Sequence, residues 1–335
     1  MLPRQKNFSI SPENISELLK IHCADLMKAF YEEQSSFLCT IYKRYSSIET
    51  ANITLCFLRN VNLEIIRQRE RDLNYNISLN DFWKNLNKIN KPLEKIATIV
   101  NATGIPKETV RRKIKTLSEL GFVTKDKKSS GYYLNISLKE KDMFLDYANH
   151  DTSDLAKFIS KFANYLKLNI NTEIIEKELK SQFSFYWYHF LSCQLDWLKM
   201  WQLKFKDNDL LLISLQTTIP TLQYIDKNID VQSIDDVYKY IGKISKENKN
   251  NNCSISATSV SDITGIPRAT CIRKLDRLVN LGFLTRMDKS KRYSVNQSID
   301  SRTKNITHKD NIVFTIKTYS KYISIILNSL IYNRL

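Results

Sequence analysis

The chain has 335 residues, 42% of them hydrophobic, enough to bury real cores in two domains or in one duplicated domain. Lysine and arginine outnumber aspartate and glutamate by 51 to 35, a formal net charge of +16, so polyanions are the partners to expect: nucleic acid first, an anionic membrane surface second. No apolar run approaches the roughly 18 residues that span a bilayer, residues 1 to 10 carry no signal-type apolar stretch, and six scattered cysteines with four histidines offer neither a Cys-x-x-Cys pair nor a zinc pattern. A cytoplasmic protein with no membrane contact, metal, cofactor or disulfide framework is the expectation.

Taken in chain order, residues 28 to 55 read as helix. The Ser78-Leu79-Asn80-Asp81 string then opens an amphipathic helix with Phe82, Trp83, Leu86 and Ile89 on its apolar side, because a serine followed three residues later by an acid marks a helix N-terminus. A short helix over about Leu93 to Thr103 is stopped by Gly104, which enters the left-handed conformation without a Cβ penalty. Pro106 suits the start of a new helix, whose Val110, Ile114, Leu117 and Leu120 share one face. Gly121 stops that helix. A hairpin follows, with Phe122-Val123-Thr124, a polar turn through Lys128-Ser129-Ser130-Gly131, and Tyr132-Tyr133-Leu134. Residues 152 to 168 close this half as an apolar helix.

The same order then returns. Residues 188 to 215 can be laid over 28 to 55, with Phe190 on Phe30, Leu198 on Leu38, Phe205 on Tyr45, Ile213 on Ile53 and Leu215 on Leu55. Ser233-Ile234-Asp235-Asp236 opens a helix with Val237, Tyr240, Ile241 and Ile244 on its apolar side, and the run Lys246 to Asn252 supplies a six-residue insertion expected to be a solvated loop. Ser256 to Thr264 ends at Gly265. From there residues 264 to 296 align without a gap on 103 to 135, pairing Thr264, Gly265, Pro267, Thr270, Arg273, Leu278, Gly282, Phe283, Tyr293 and Asn296 with identical residues. Residues 311 to 331 form the closing helix.

The shared string TGIP-x-x-T-x-x-R-K, continuing to G-F-(V/L)-T, resembles the helix-turn-helix and wing of bacterial transcription regulators of the winged-helix superfamily, particularly those like the MarR and IclR families. The resemblance covers about 55 residues of each copy. It implies a fold that is mainly α with two small β-hairpins: tandem winged helix-turn-helix domains framed by long helices, with pseudo-two-fold duplication. The first half spans residues 1–165 with its unit at 78–136, and the second spans 166–335 with its unit at 233–297. It also implies that the second helix of each motif enters the major groove while the wing meets the backbone or minor groove.

The residues support such docking independently. With Val110, Ile114 and Leu117 inward, Lys107, Glu108, Arg111, Arg112 and Lys115 lie on the opposite side; the second copy offers Arg268, Ala269, Ile272, Arg273 and Lys274. Arginine grips guanine or phosphate, and Thr109 and Thr270 suit phosphate oxygens. Ile272 stands where the first copy has Arg111, exchanging a polar base contact for an apolar one with a thymine methyl. The wings add Lys125, Lys127 and Lys128, then Arg286, Lys289, Lys291 and Arg292. Residues 107–128 hold eight basic against three acidic side chains, and 268–292 hold eight against two. Neutralising roughly 6 to 10 phosphates would give a logarithmic salt slope of about −5 to −9.

Plainer readings compete. A charge run is commonly a solvated face, Tyr132 and Tyr293 fit packing better than phosphate contact, and the aromatic cluster from Phe183 to Phe190 with Trp197 and Trp201 fits core packing better than an effector pocket. Isolated histidines without a nucleophile or glycine-rich loop make no catalytic constellation, so no enzyme is expected. The resulting expectation is a covalent pseudo-dimer regulator on double-stranded DNA, reading an imperfect inverted repeat of two unequal half-sites. A plasmid-type replication initiator and an architectural or protein-binding module are the alternatives. The effector, if any, and further homodimerisation stay open.

Overall fold

Ser11 accepts the backbone N–H of Asn14, whose own side chain accepts from the Ser11 backbone, and this reciprocal cap with Pro12 behind it starts the first helix. Side-chain caps also start α3, α4, α8, α10, α11 and α12. The computed structural model describes residues 9–135, 140–231, 233–247, 253–287, 290–296 and 308–332. Its first half runs α1 (Pro12–Ile21), α2 (Cys23–Tyr45), α3 (Ile48–Arg71), α4 (Leu79–Leu86), α5 (Ile96–Thr103), α6 (Lys107–Glu119), β1 (Val123–Lys125), β2 (Tyr132–Leu134) and α7 (Lys141–Tyr165). The second half repeats the order as α8 (Thr172–Ser181), α9 (Phe183–Phe205), α10 (Asn208–Asn228), α11 (Ile234–Glu247), α12 (Ala257–Thr264), α13 (Arg268–Asn280), β3 (Leu284–Arg286), β4 (Tyr293–Val295) and α14 (His308–Tyr332). The chain is thus mainly helical, with two small antiparallel hairpins.

The repeated Thr-Gly-Ile-Pro string has a job for every residue. Thr103 donates its hydroxyl to the Ile99 carbonyl at 2.8 Å and accepts the Ile105 N–H at 3.2 Å; Thr264 does the same with Val260 and Ile266. Gly104 and Gly265 turn the chain at φ +69° and +74°, a left-handed conformation costly for other residues. Ile105 and Ile266 are buried, and Pro106 and Pro267 cap α6 and α13. Both later helices end in a Schellman arrangement, with Phe122 and Phe283 N–H groups reaching back to Leu117 and Leu278. Asn135 and Asn296 then close the hairpins by donating to the carbonyls of Phe122 and Phe283 from the backbone and of Gly121 and Gly282 from the side chain.

Four expectations change. The helix expected from about Leu93 starts at Ile96, and Glu94 is instead extended, exchanging both backbone hydrogen bonds with Tyr132; Ile255 does the same with Tyr293, so each hairpin gains a third, one-residue strand. Lys246 and Glu247, expected in a loop, continue α11, which is 14 residues long against 8 for α4; residues 248–252 lie outside the described residues. Leu120 is 65% exposed, because it follows the last turn of α6 and points past the buried face. The closing helices also begin earlier than the apolar runs at 152 and 311, at Lys141 and His308.

The halves pack by exchanging helices. α3 lies on α9 and α10 on α2; α14 packs on α1 as α7 does on α8; α5 meets α9 and α12 meets α2. Every such contact has its counterpart when the halves are interchanged. The buried residues of both halves form one contiguous core, and the aromatic cluster of α9 lies within it, with Phe183, Tyr186, Trp187, Phe190, Trp197 and Trp201 all buried. Among the described residues, no helix is long and apolar enough to cross a membrane.

Candidate nucleic-acid interface

α6 shows how the pattern of one helix sorts its side chains. Val110, Ile114 and Leu117 are buried, Thr109 is half-buried, and Lys107, Arg111, Arg112 and Lys115 are exposed. Arg111 reaches Glu108 at 2.6 Å and Lys115 reaches Glu119 at 3.9 Å, surface pairs that a polyanion can displace at little cost. Arg112 has no carboxylate partner among the described residues. On the hairpin, Lys125, Lys127 and Lys128 are exposed around Asp126, whose carboxyl is held below its ordinary range by hydrogen bonding from Ser129 and from turn backbone groups.

α13 repeats the plan with differences. Cys271, Leu275 and Leu278 are buried, Thr270 is half-buried, and Arg268 and Arg273 are exposed. Arg268 donates to Thr258 at 3.1 Å, whereas Arg273 matches Arg112 in having no carboxylate partner among the described residues. Arg286 is exposed, 3.6 Å from Asp276 with its guanidinium over the Tyr293 ring; Lys291 is exposed at φ +51°. Lys289 lies outside the described residues.

Three expected contact residues have partners within the fold. Lys274 is only 11% exposed, held at 2.7 Å from Asp207 and 3.4 Å from Asp209 at the start of α10. Arg292 donates to the side chain and carbonyl of Ser254, fixing the hairpin to the one-residue strand beside it. Ile272 is half-buried against the core, so apolar packing accounts for it without a thymine methyl. A helical wheel places a residue on a side, but the partners here come from a turn 67 residues away and a strand 38 residues away.

No protein-family model, curated protein or solved structure matches the chain. The assignment of a surface therefore rests on geometry. That geometry adds residues missed in the sequence: Lys91 stands 5.0 Å over the Tyr133 ring, and Lys88 and Lys95 are exposed nearby in sequence, so the α4–α5 connection extends the basic surface of the first hairpin. Their signal was the 4-3-4 spacing of Lys84, Lys88, Lys91 and Lys95, which would share one face of a continuous helix, although the chain leaves helix between Leu86 and Ile96. Among the described residues no group of histidine, cysteine, aspartate or glutamate is placed to hold a metal.

Proposed function

We propose that the chain is a sequence-specific double-stranded-DNA-binding transcription regulator, built as a covalent pseudo-dimer of two winged helix-turn-helix units. α6 and α13 are its recognition helices. The hairpins β1–β2 and β3–β4 are its wings, reaching backbone or minor groove. The observation that carries the reading is that Arg112 and Arg273, at equivalent places on equivalent helices, are both exposed and both without a carboxylate partner among the described residues. Each stands on the same helix position of its half, near a hairpin that carries further exposed cations, so both halves offer a polyanion uncompensated charge in the same arrangement. The target is an imperfect inverted repeat, since Arg111 and Ile272 make the two reading heads unequal.

Selection from a random duplex library, with the wild type, Arg112→Ala and Arg273→Ala, tests this. A two-part motif in which each substitution blurs a different half supports it. Recovery of no motif, with neither arginine affecting binding, overturns it in favour of a protein-binding role.

A further inference from the structure

α6 and α13 are joined on their inner sides by an unbroken line of polar contacts. Lys113 on α6 donates to the hydroxyl of Ser47, the residue that caps α3, at 3.1 Å. The neighbouring backbone N–H of Ile48 donates to the Asp209 carboxylate in the first turn of α10, also at 3.1 Å. The other Asp209 oxygen is 3.4 Å from the ammonium of Lys274 on α13, which is bound more closely by Asp207, the cap of α10. Arg277 completes the cluster, 3.3 Å from Asp207 and bonded to the Phe205 carbonyl at 2.9 Å. Glu49 lies among Lys113, Asp207 and Asp209, so three carboxylates face three cations. Ser47 and Asp207 hold the same place in the two halves, as do Lys113 and Lys274.

We propose that this junction fixes the separation and mutual angle of α6 and α13, and thereby decides which spacing between half-sites the protein accepts; the proposal rests on the DNA-binding reading above. Hydrogen bonds to charged groups are directional and stronger than neutral ones, so a line of them resists sliding and rotation where apolar packing alone tolerates it. Half-sites on one face of a duplex lie about 34–36 Å apart, and one added base pair shifts the far site by about a tenth of a turn. A clamped pair of helices rejects that shift. Lys113, Lys274 and Asp209 are positioning residues here, contacting no DNA themselves.

The test uses the full chain and duplexes carrying its selected motif with the separation changed from two base pairs fewer to two more. The wild type is expected to lose at least about ten-fold in affinity for a one-base-pair change. Asp209→Asn and Lys113→Met are expected to lose less than about three-fold, while binding a single half-site duplex as the wild type does. Equal discrimination by wild type and variants overturns the proposal and leaves the DNA reading standing; absence of any motif overturns the DNA reading. A DNA-independent arm keeps the junction testable in that event. Spin labels on Lys107→Cys and Arg268→Cys, with Cys193→Ser to remove the one native thiol that is not fully buried, should give one narrow inter-label distance, broadened when Asp209→Asn or Lys113→Met is added. An unbroadened distance in both variants, each showing a wild-type helical signal and a cooperative melt, overturns the clamp.

Discussion

Phe30 meets Trp197 edge-on, with ring centroids 5.7 Å apart and planes at 84°. The contact recurs with the halves interchanged, as Phe190 against Phe37 at 5.2 Å and 82°. Each ring belongs to one half and its partner to the other, so neither half completes its core alone. Phe30→Ala and Phe190→Ala should each cost about 3–5 kcal/mol. Both should lower a single calorimetric transition; two separate transitions in either variant would show that the halves fold independently.

Exposure separates cations that meet solvent from cations already committed within the fold. In titrations of duplex binding between about 50 and 200 mM salt, Arg112→Ala and Lys125→Ala should each reduce the logarithmic salt slope by about one unit. Lys274→Ala should leave the slope unchanged but lower the thermal midpoint by several degrees, since it strips a charged hydrogen-bond donor, worth about 1.5–3 kcal/mol, from Asp207. Arg292→Ala should behave like Lys274→Ala. A loss of slope from these two would put them at the phosphate surface instead.

Glu33 on α2 and Asp151 on α7 are both buried. Burial, with the Asp151 and Asp154 carboxylates adding to it, pushes Glu33 up from 4.5 to about 8, and burial with Asp154 raises Asp151 as well. The folded state therefore keeps a proton on Glu33 that the unfolded chain releases, and its contribution to stability should fall as the pH rises from about 4.5 to about 8. Glu33→Gln should flatten part of that slope and be more stable than the wild type at pH 8, as read from urea midpoints across the range. A wild-type profile that rises through this window would refute the assignment. The second half has no equivalent pair: Cys193 stands at the Glu33 position and donates to the Thr318 carbonyl at 3.7 Å.

Tyr132 and Tyr293 hold matching strand positions, yet only Tyr293 is fully buried, with its hydroxyl donating to Asp276 at 2.9 Å. Tyr293→Phe should cost about 0.5–1.5 kcal/mol and Tyr132→Phe much less, measured by chemical denaturation. Equal costs would mean that the Asp276 bond contributes nothing.

Much of this fold was legible because helix caps, glycine stops and apolar spacing are local signals. Ser78 and Ser233 cap α4 and α11, and Gly104, Gly121, Gly265 and Gly282 all take positive φ where the pattern places them. The overlay of residues 28 to 55 on 188 to 215 matches helices of equal length, α2 and α9, each ended by a left-handed residue, Ser46 or Lys206. The one-residue strands at Glu94 and Ile255 were not legible, since a single residue has no period. Nor were the destinations of Lys274 and Arg292. Spacing along one helix or strand says which way a side chain leaves the backbone, while its partner is decided by distant chain folding back.

In a homodimer with a two-fold axis, a side chain on or near that axis confronts its own copy, so an acid there meets an acid and a lysine meets a lysine. The interleaving of α2 and α3 with α9 and α10 in a single chain lifts that rule. Position 47 is serine while its counterpart 207 is aspartate, and position 33 is glutamate while its counterpart 193 is cysteine. Each substitution is felt once rather than twice, and a charge on one side can be answered by a different residue on the other.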